Sequence, residues 1–178
     1  MRQILLLLLL CGMTALSSAQ NIGIGVFQDA KLAFFEDDYG NTPYTADIRI
    51  EFALHGFELW GLGRTVIGGT YEYADLAGGK YQRWGAQGGF AFDYVGPFKV
   101  TPMVGAGIIN RMSDTQGYIS LEASVDVEYF IIPKLSAGFK STLTQRGDLW
   151  TKYQDRTGSY RPWDWRRNFY IGIKYYLD

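Results

Sequence analysis

The chain has 178 residues, with 17 basic and 18 acidic side chains and a formal net charge of −1. Nucleic-acid binding requires a basic surface, so a balance this even argues against a nucleic-acid partner. The single cysteine, Cys11, lies near the N-terminus, and the rest of the chain has no cysteine with which to form a disulfide.

The first twenty residues have the pattern of a secretory leader. Arg2 is followed by the apolar run at residues 4–10 and by small residues at positions 17–19. A charged start, a short apolar core and a small-residue end are typical of a signal peptide, here cut after Ala19. We therefore predict a signal peptide at residues 1–19.

The remainder, residues 20–178, has the length of one domain. An alternative leader is that of a lipoprotein acylated on Cys11, but Leu10 stands where such a signal carries a small residue. The apolar runs after residue 20 are far shorter than the roughly 20 residues of a transmembrane helix. If the domain lies in a membrane, it must be a closed barrel, because only helices and closed barrels satisfy the backbone in lipid.

Alternating hydrophobicity is the main signal in this domain. Residues 118–130 read Y-I-S-L-E-A-S-V-D-V-E-Y-F, in which apolar and polar side chains alternate. This period of two predicts a long β-strand with one polar face and one apolar face. Similar stretches predict eight strands, at residues 22–35, 44–55, 59–74, 81–94, 98–111, 118–130, 135–146 and 166–177.

The predicted connections alternate in length. Those at residues 56–58, 95–97 and 132–134 are short, whereas those at 36–43, 75–80, 112–117 and 147–164 are longer. Outer-membrane barrels have short periplasmic turns, longer outer loops and an even number of strands. We therefore predict an all-β fold, namely one eight-stranded, antiparallel, up-and-down transmembrane β-barrel with both termini on the periplasmic side.

Side-chain volume indicates which face points inward. The lumen of an eight-stranded barrel holds modest side chains or one small ligand. The apolar face is too bulky for that lumen, since it includes Phe34, Phe52, Trp84, Phe90, Phe92, Phe98, Phe139 and Phe169. The polar face is interleaved with Gly23, Gly25, Gly85, Gly89, Gly105, Gly107, Gly138 and Gly172. We therefore expect polar residues inside and apolar residues outside, facing lipid.

This orientation places charges of both signs inside the barrel. The predicted interior network comprises Asp47, Arg49, Glu51, Arg83, Glu122, Asp126, Glu128, Lys140 and Lys174. Asp29, Lys31, Arg64, Glu72, Asp93, Lys99 and Arg146 are expected on the same face. Desolvated charges must pair, so we interpret the set as a salt-bridge plug that fills the lumen. The alternative is a narrow or gated ion path lined by the same residues.

With its leader, its alternating strands and its closing F-Y-I-G-I-K-Y-Y-L, the chain resembles the small outer-membrane barrels of the OmpA and OmpX type. In that class the last strand commonly ends in an aromatic residue, whereas this chain ends in Leu177 and Asp178. The resemblance implies the outer membrane of a Gram-negative-type bacterium. It transfers no function, because fold and function separate freely.

The residue types argue against catalysis. Some small barrels modify lipid A with a histidine and a serine near the outer leaflet, and a lipid A-modifying enzyme is therefore an alternative. The only histidine is His55, expected at the periplasmic rim beside the turn at residues 56–58. No cofactor and no metal are expected, because Glu36, Asp37, Asp38 and Asn41 lack the spacing of a calcium loop.

One stretch near the C-terminus combines basic and aromatic residues. It includes Arg146, Trp150, Lys152, Arg156, Arg161, Trp163, Trp165 and Arg167. Aromatic residues suit a membrane interface, and basic residues there can pair with lipopolysaccharide phosphates. We therefore expect outer-membrane lipid and lipopolysaccharide as partners, with an extracellular ligand of the outer loops as an alternative. The sequence does not indicate an oligomeric state.

Overall fold

A computed structural model describes residues 21–35, 41–59, 61–76, 79–95, 97–113, 116–149 and 165–177. Within these ranges the chain forms eight antiparallel strands that follow one another around a closed barrel. The predicted eight-stranded, antiparallel, up-and-down β-barrel is therefore confirmed.

Each strand pairs with the next one in the chain. The strands are β1 Asn21–Asp29, β2 Asp47–Leu59, β3 Gly63–Leu76, β4 Gly79–Val95, β5 Phe98–Arg111, β6 Gly117–Ile132, β7 Leu135–Gln145 and β8 Trp165–Leu177. β1 also pairs with β8, with Ile22 opposite Leu177, and this pairing closes the barrel. Closure leaves no sheet edge unpaired.

The first strand is shorter than its alternation suggests. β1 ends at Asp29 and is followed by a short helix, α1, at Ala30–Phe34, where the sequence predicts a continuing strand. The Asp29 carboxylate accepts a hydrogen bond of 3.0 Å from the backbone N–H of Leu32, as an N-cap does. Alanine, lysine and leucine are good helix formers, so the capped segment turns out of the sheet.

No helix in the described part of the chain is both long and apolar enough to cross a membrane.

Two predicted connections are wrong. β2 continues to Leu59, past the turn expected at residues 56–58, and only the pairing register shifts between His55 and Glu58. β3 ends at Leu76 and β4 begins at Gly79, so the longer loop expected at residues 75–80 is a tight connection. Gly79 has a φ of +116°, which glycine adopts without steric cost.

The barrel has two distinct ends. One end, which we name the terminal end, carries the start of β1, the end of β8 and the short connections at 60–62, 96–97 and 133–134. The opposite end, which we name the loop end, carries the longer connections at 30–46, 112–116 and 146–164 together with the short one between β3 and β4. The two ends therefore differ as the periplasmic and outer ends of a bacterial barrel do.

The two faces of the wall are oriented as predicted. Phe139 and Ile171 are 45% and 37% exposed on the outside, whereas Glu122 and Lys140 are 5% and 0% exposed. Large apolar side chains that alternate with buried polar ones thus point away from the barrel axis. The hydrophobic surface of this molecule lies on its exterior.

An aromatic ring and three glycines fill part of the interior. Phe27 of β1 points inward and is 1% exposed. A Cβ added to Gly25, Gly138 or Gly172 would lie 2.6, 2.8 or 2.7 Å, respectively, from an atom of the Phe27 ring. These glycines are therefore what allows a large ring to fit in a narrow lumen.

Candidate functional site

The nine residues of the predicted interior network are all buried inside the barrel. Strand alternation brings them there, because inward-facing positions recur at every second residue of each strand. Of the other charges expected on this face, Asp29, Glu72, Lys99 and Arg146 are buried as well. Arg64 is half-buried, and the side chain of Asp93 lies outside the described residues. Lys31 is exposed, because α1 takes it out of the barrel.

A set of five residues, which we name the central network, crosses the lumen: Arg49, Glu51, Arg83, Glu122 and Lys140. Arg49 of β2 donates two hydrogen bonds to the Glu122 carboxylate of β6, of 2.9 Å from Nη1 and 2.6 Å from Nη2. Because β2 and β6 are four strands apart in a barrel of eight, this bidentate pair spans its full width.

The other members of the central network attach further strands to this pair. Arg83 of β4 donates from Nη1 to Glu122 at 2.6 Å and from Nε to the Ser120 hydroxyl at 2.8 Å. Glu51 accepts a hydrogen bond of 2.7 Å from Arg49 Nε and one of 2.5 Å from Lys140 Nζ of β7. Four strands are thus tied together across the lumen by charge-assisted hydrogen bonds.

A second set, which we name the terminal-end network, lies nearer the chain termini: Lys99, Asp126, Glu128, Lys174 and Tyr176. Lys174 of β8 donates to Asp126 at 2.6 Å and to Glu128 at 3.0 Å, both on β6. Lys99 of β5 lies 3.3 Å from the Glu128 carboxylate and also hydrogen bonds to the Tyr176 hydroxyl. The interior charges therefore continue from the centre towards the terminal end.

A third set, which we name the loop-end cluster, consists of Tyr81, Arg111, Arg146 and Asp148. The Asp148 carboxylate accepts a hydrogen bond of 2.8 Å from Arg146 Nε and one of 2.9 Å from Arg111 Nε. The Arg146 guanidinium lies 4.0 Å from the centre of the Tyr81 ring, in cation–π geometry. This cluster covers the interior at the loop end.

Asp148 lies in a 3₁₀ turn at Gly147–Leu149, just beyond β7. Burial alone would raise the pKa of its carboxyl, but the hydrogen bonds and charges of Arg146 and Arg111 outweigh burial and lower the pKa. Asp148 therefore stays ionised beside its two arginines.

Asp47 is buried, yet the structure does not bring it into an ion pair within the described ranges. Its nearest hydrogen-bond donors are the Tyr170 hydroxyl and the Asn168 amide, each at 3.4 Å. Several buried polar atoms of the interior, in the described part of the chain, have no hydrogen-bond partner: His55 Nε2, Gln87 Nε2, Thr101 Oγ1, Asp126 Oδ1 and Thr142 Oγ1. A polar site with such unmatched atoms suits ordered water between the side chains.

His55 points into the barrel in the terminal-end part of β2, and not beside a turn as the sequence predicts. The side chain is 5% exposed, and its ring centre lies 5.6 Å from that of Tyr176. The expectation of a rim position depended on a turn at residues 56–58, where β2 in fact continues. His55 is opposite Asn21, the first residue of β1, so the imidazole lies towards the terminal end of the barrel. No group of metal-ligating residues occurs among the residues described, and Glu36, Asp37 and Asp38 lie outside them.

The basic and aromatic stretch near the C-terminus is divided by the structure. Trp150, Lys152, Arg156, Arg161 and Trp163 lie outside the described residues. Arg146 belongs to the loop-end cluster and is buried, so its guanidinium is not presented to a ligand outside the barrel. Trp165 and Arg167, at the start of β8, lie on the outward face of the wall.

Several of the described interior residues are not singled out from the sequence, and among them are Phe27, Arg111 and Asp148. Phe27 and Arg111 occupy the inward parity of β1 and β5, which they share with Gly25 and Gly107, so alternation could have found both. Asp148 lies in a turn outside the strands, where alternation carries no information. Its role depends on how the chain turns after β7.

Comparison with known proteins gives matches of structure only. The chain is similar to the Yersinia pestis outer membrane protein Ail, at 13% identity and a TM-score of 0.52, over 88% of this chain and 97% of that one. It is also similar to Neisserial surface protein A, at 11% identity and a TM-score of 0.51, over 87% and 94% of the two chains. Neither protein-family models nor curated proteins match the sequence. The expected likeness to small eight-stranded outer-membrane barrels is thus confirmed at the level of the fold.

Proposed function

We propose that this protein is a small outer-membrane β-barrel whose lumen is closed by ion pairs, and that it acts without catalysis. Its role is to support the envelope or to present its outer loops for recognition. The observation that carries this proposal is the Arg49–Glu122 pair, which joins opposite walls of the barrel. A pair that joins opposite walls obstructs the lumen between them.

The outer surface supports the membrane location. The wall presents a continuous set of apolar side chains, which include Ile24, Ile50, Phe52, Val104, Leu121, Phe139, Ile171 and Ile173. A soluble protein rarely exposes an apolar surface of that extent. In a bilayer the same surface faces acyl chains, and the closed ladder leaves no unpaired strand edge in lipid.

The orientation follows from the two ends. The loop end, which carries the longer connections, faces the cell exterior, and the terminal end faces the periplasm. The connection between β7 and β8 belongs to the loop end, and with Arg146 buried we propose that the other basic and aromatic residues of this stretch contact lipopolysaccharide or an extracellular ligand. With this orientation, the loop end is the surface that would take part in recognition.

The membrane location is tested by fractionation and by electrophoretic mobility before and after boiling in detergent. We expect the protein in the outer-membrane fraction, with a band that shifts on boiling, because closed barrels resist unfolding by detergent alone. A band without a shift, from protein in the soluble periplasm, would point to a soluble barrel and contradict the proposal.

Closure of the lumen is tested by ion conductance in planar bilayers. We expect no steady current from the purified protein. The double variant Arg49→Gln with Glu122→Gln removes the crossing ion pair without adding a net charge, and we expect it to pass more current. The matched control is Asp75→Asn with Lys80→Gln, which removes a surface pair of 2.7 Å. Steady current through the unchanged protein would favour a narrow channel instead of a plug.

The non-catalytic part of the proposal is tested on lipid A. His55 is buried within the barrel and has no second histidine to assist it. We therefore expect the same mass spectrum of lipid A from cells with and without the protein. A loss or gain of one acyl chain that depends on the protein would establish an enzyme.

A further inference from the structure

The outer wall of the barrel contains a groove. The alternation of polar and apolar residues explains an apolar wall, but it does not explain a depression in that wall. The groove has a volume of about 650 Å³ and runs over five neighbouring strands, from β4 to β8. Its outward-facing lining includes the small residues Gly88, Ala123 and Ser141, flanked by larger side chains such as Phe90, Leu143 and Phe169. The groove is a depression in the wall, where these small residues leave space between the larger side chains.

One charged residue lies at the end of this groove. Arg167, the third residue of β8 from the loop end, lies on the outward face and lines the groove beside Phe169. Within the described part of the chain, no acidic side chain forms an ion pair with Arg167. It is also the only charged side chain in the described lining of the groove.

The strand register shows how the groove is inclined. Arg167 is opposite Leu143, Leu143 is opposite Ala123, Ala123 is opposite Val104, and Val104 is opposite Gly88. Four steps between strands of about 4.8 Å give a length of roughly 19 Å. Gly88 lies nine residues into β4 from the loop end, whereas Arg167 is only two residues into β8, so the row descends from the loop end towards mid-wall.

The length and the tilt match one leaflet of a bilayer. Strands in such barrels tilt by about 35–45°, so a row of roughly 19 Å that runs perpendicular to them descends about 11–13 Å. Half of the hydrocarbon core of a bilayer is about 15 Å thick. The groove therefore extends from headgroup level, at Arg167, to near the end of the acyl chains of the outer leaflet.

We propose that this groove binds one acyl chain of a phosphorylated lipid of the outer leaflet, with the lipid phosphate paired to Arg167. The inference rests on the proposed membrane location. Apolar walls suit the chain, and an arginine can hold a phosphate with two parallel hydrogen bonds. Charge complementarity thus favours a lipid whose phosphate has no cation in the same headgroup. In a zwitterionic lipid the phosphate is already balanced by the headgroup cation.

The test uses the full protein in detergent micelles, with retained lipid counted by native mass spectrometry. The probe is diphosphoryl lipid A, and phosphatidylcholine is the comparison lipid. We expect one lipid A per protein and little phosphatidylcholine. Arg167→Gln should weaken lipid A binding about tenfold or more, since a hydrogen-bonded charge is lost. Ala123→Phe should also weaken binding, because it fills the groove between Val104 and Leu143.

Two matched variants separate this site from general effects. Lys80→Gln removes another exposed cation near the loop end, and Ala137→Phe adds the same ring to an outward position of β7 outside the groove. Both should bind lipid A as the unchanged protein does. Three outcomes would overturn the inference. They are equal lipid A binding by the unchanged protein and all four variants, equal retention of phosphatidylcholine and lipid A, and coverage of the groove by a second copy of the chain.

The boiling shift in electrophoresis is recorded for every variant. A normal shift together with unchanged lipid binding in Arg167→Gln and Ala123→Phe would refute the groove site alone. A missing shift and a soluble unchanged protein would refute the membrane location, and the groove site with it.

Discussion

The central network and the loop-end cluster contain the same kinds of charged groups but are built in different ways. In the central network, Arg49 and Glu122 are 73 residues apart and lie on opposite strands. In the loop-end cluster, Asp148 pairs with Arg146, two residues away, and reaches Arg111 from a turn outside the strands. The first set depends on closure of the whole barrel, whereas the second depends largely on one local turn.

The difference has an energetic consequence. Charges at the centre are enclosed by the wall on all sides, so their desolvation must be offset by their partners. At the loop end the two arginines, Arg111 and Arg146, are each 7% exposed, against 0% and 1% for Arg49 and Arg83, so water reaches their guanidinium groups more readily. Loss of one group should therefore cost more at the centre than at the loop end.

The largest effect is expected for Glu122→Gln. This change leaves the guanidinium groups of Arg49 and Arg83 without the carboxylate that lies 2.6 Å from each. Removal of one partner of a buried ion pair costs about 3–5 kcal/mol. The free energy of unfolding, measured by urea titration of the protein in a membrane mimetic, should fall by that amount. The surface variant Asp75→Asn is the control, and a loss no larger than its own would show that the central network is hydrated.

The next effect concerns space in the interior and not charge. A Cβ added to Gly172 would lie 2.1 Å from the Val26 carbonyl oxygen and 2.7 Å from the Phe27 Cα. Because these are backbone atoms, the strand must shift, and Gly172→Ala should lower the free energy of unfolding by about 3 kcal/mol. At Gly69 the nearest such atom is 3.8 Å away, so Gly69→Ala is the matched control. Equal losses in the two variants would mean that the steric contact is relieved by local movement.

The sequence predicts the central network better than the loop-end cluster, for a physical reason. Side chains of a strand alternate between its two faces, so once Glu122 is known to point inward, every second residue of β6 points inward as well. Closure of the barrel then brings Arg49 of β2 opposite Glu122. The position of Asp148 depends instead on how the chain turns after β7, and propensity for one 3₁₀ turn is a weak signal. Alternation also failed at residues 30–34, where the cap formed by Asp29 starts α1.

The site was predicted less completely than the fold. That Arg49, Glu122 and Lys140 lie inside follows from periodicity, but which carboxylate each cation contacts depends on the strand register and the barrel tilt. Neither quantity is readable from local sequence. Phe27 shares the inward parity of Gly25, but its bulk favours the lipid-facing side, so parity and side-chain volume indicate opposite faces at this position.

A smaller effect is expected for Asp148→Asn, and it should depend on pH. The pKa of Asp148 is lower in the folded protein than its ordinary value near 4, so its contribution to stability is present above that value. The contribution is lost as the pH falls through the folded pKa. We expect the variant to be about 1.5–2 kcal/mol less stable than the unchanged protein at pH 7.

The pH profile distinguishes this carboxylate from the others. As the pH falls below the ordinary Asp value near 4 and through the lower folded pKa, the difference between Asp148→Asn and the unchanged protein should shrink, because protonation removes the same charge in the latter. Urea titrations at several pH values in that window measure the difference directly. A difference that stays constant with pH would mean that Asp148 acts through its shape and not through its charge.

The smallest effect is expected in the turn at residues 42–45, which precedes β2 at the loop end. Tyr44 has a φ of +67°, and the N–H of Thr45 donates to the Thr42 carbonyl at 3.2 Å. With Pro43 before it, Tyr44 occupies the position of a type II turn that favours glycine. Its side chain is 89% exposed and contributes little packing. Tyr44→Gly should therefore raise the free energy of unfolding by about 0.5–1 kcal/mol, since relief of the left-handed backbone exceeds the entropy that glycine adds.

Tyr44→Ala removes the ring but keeps the strain, so it should give no gain. Equal stabilities of the glycine and alanine variants would show that the turn relaxes to a negative φ in solution.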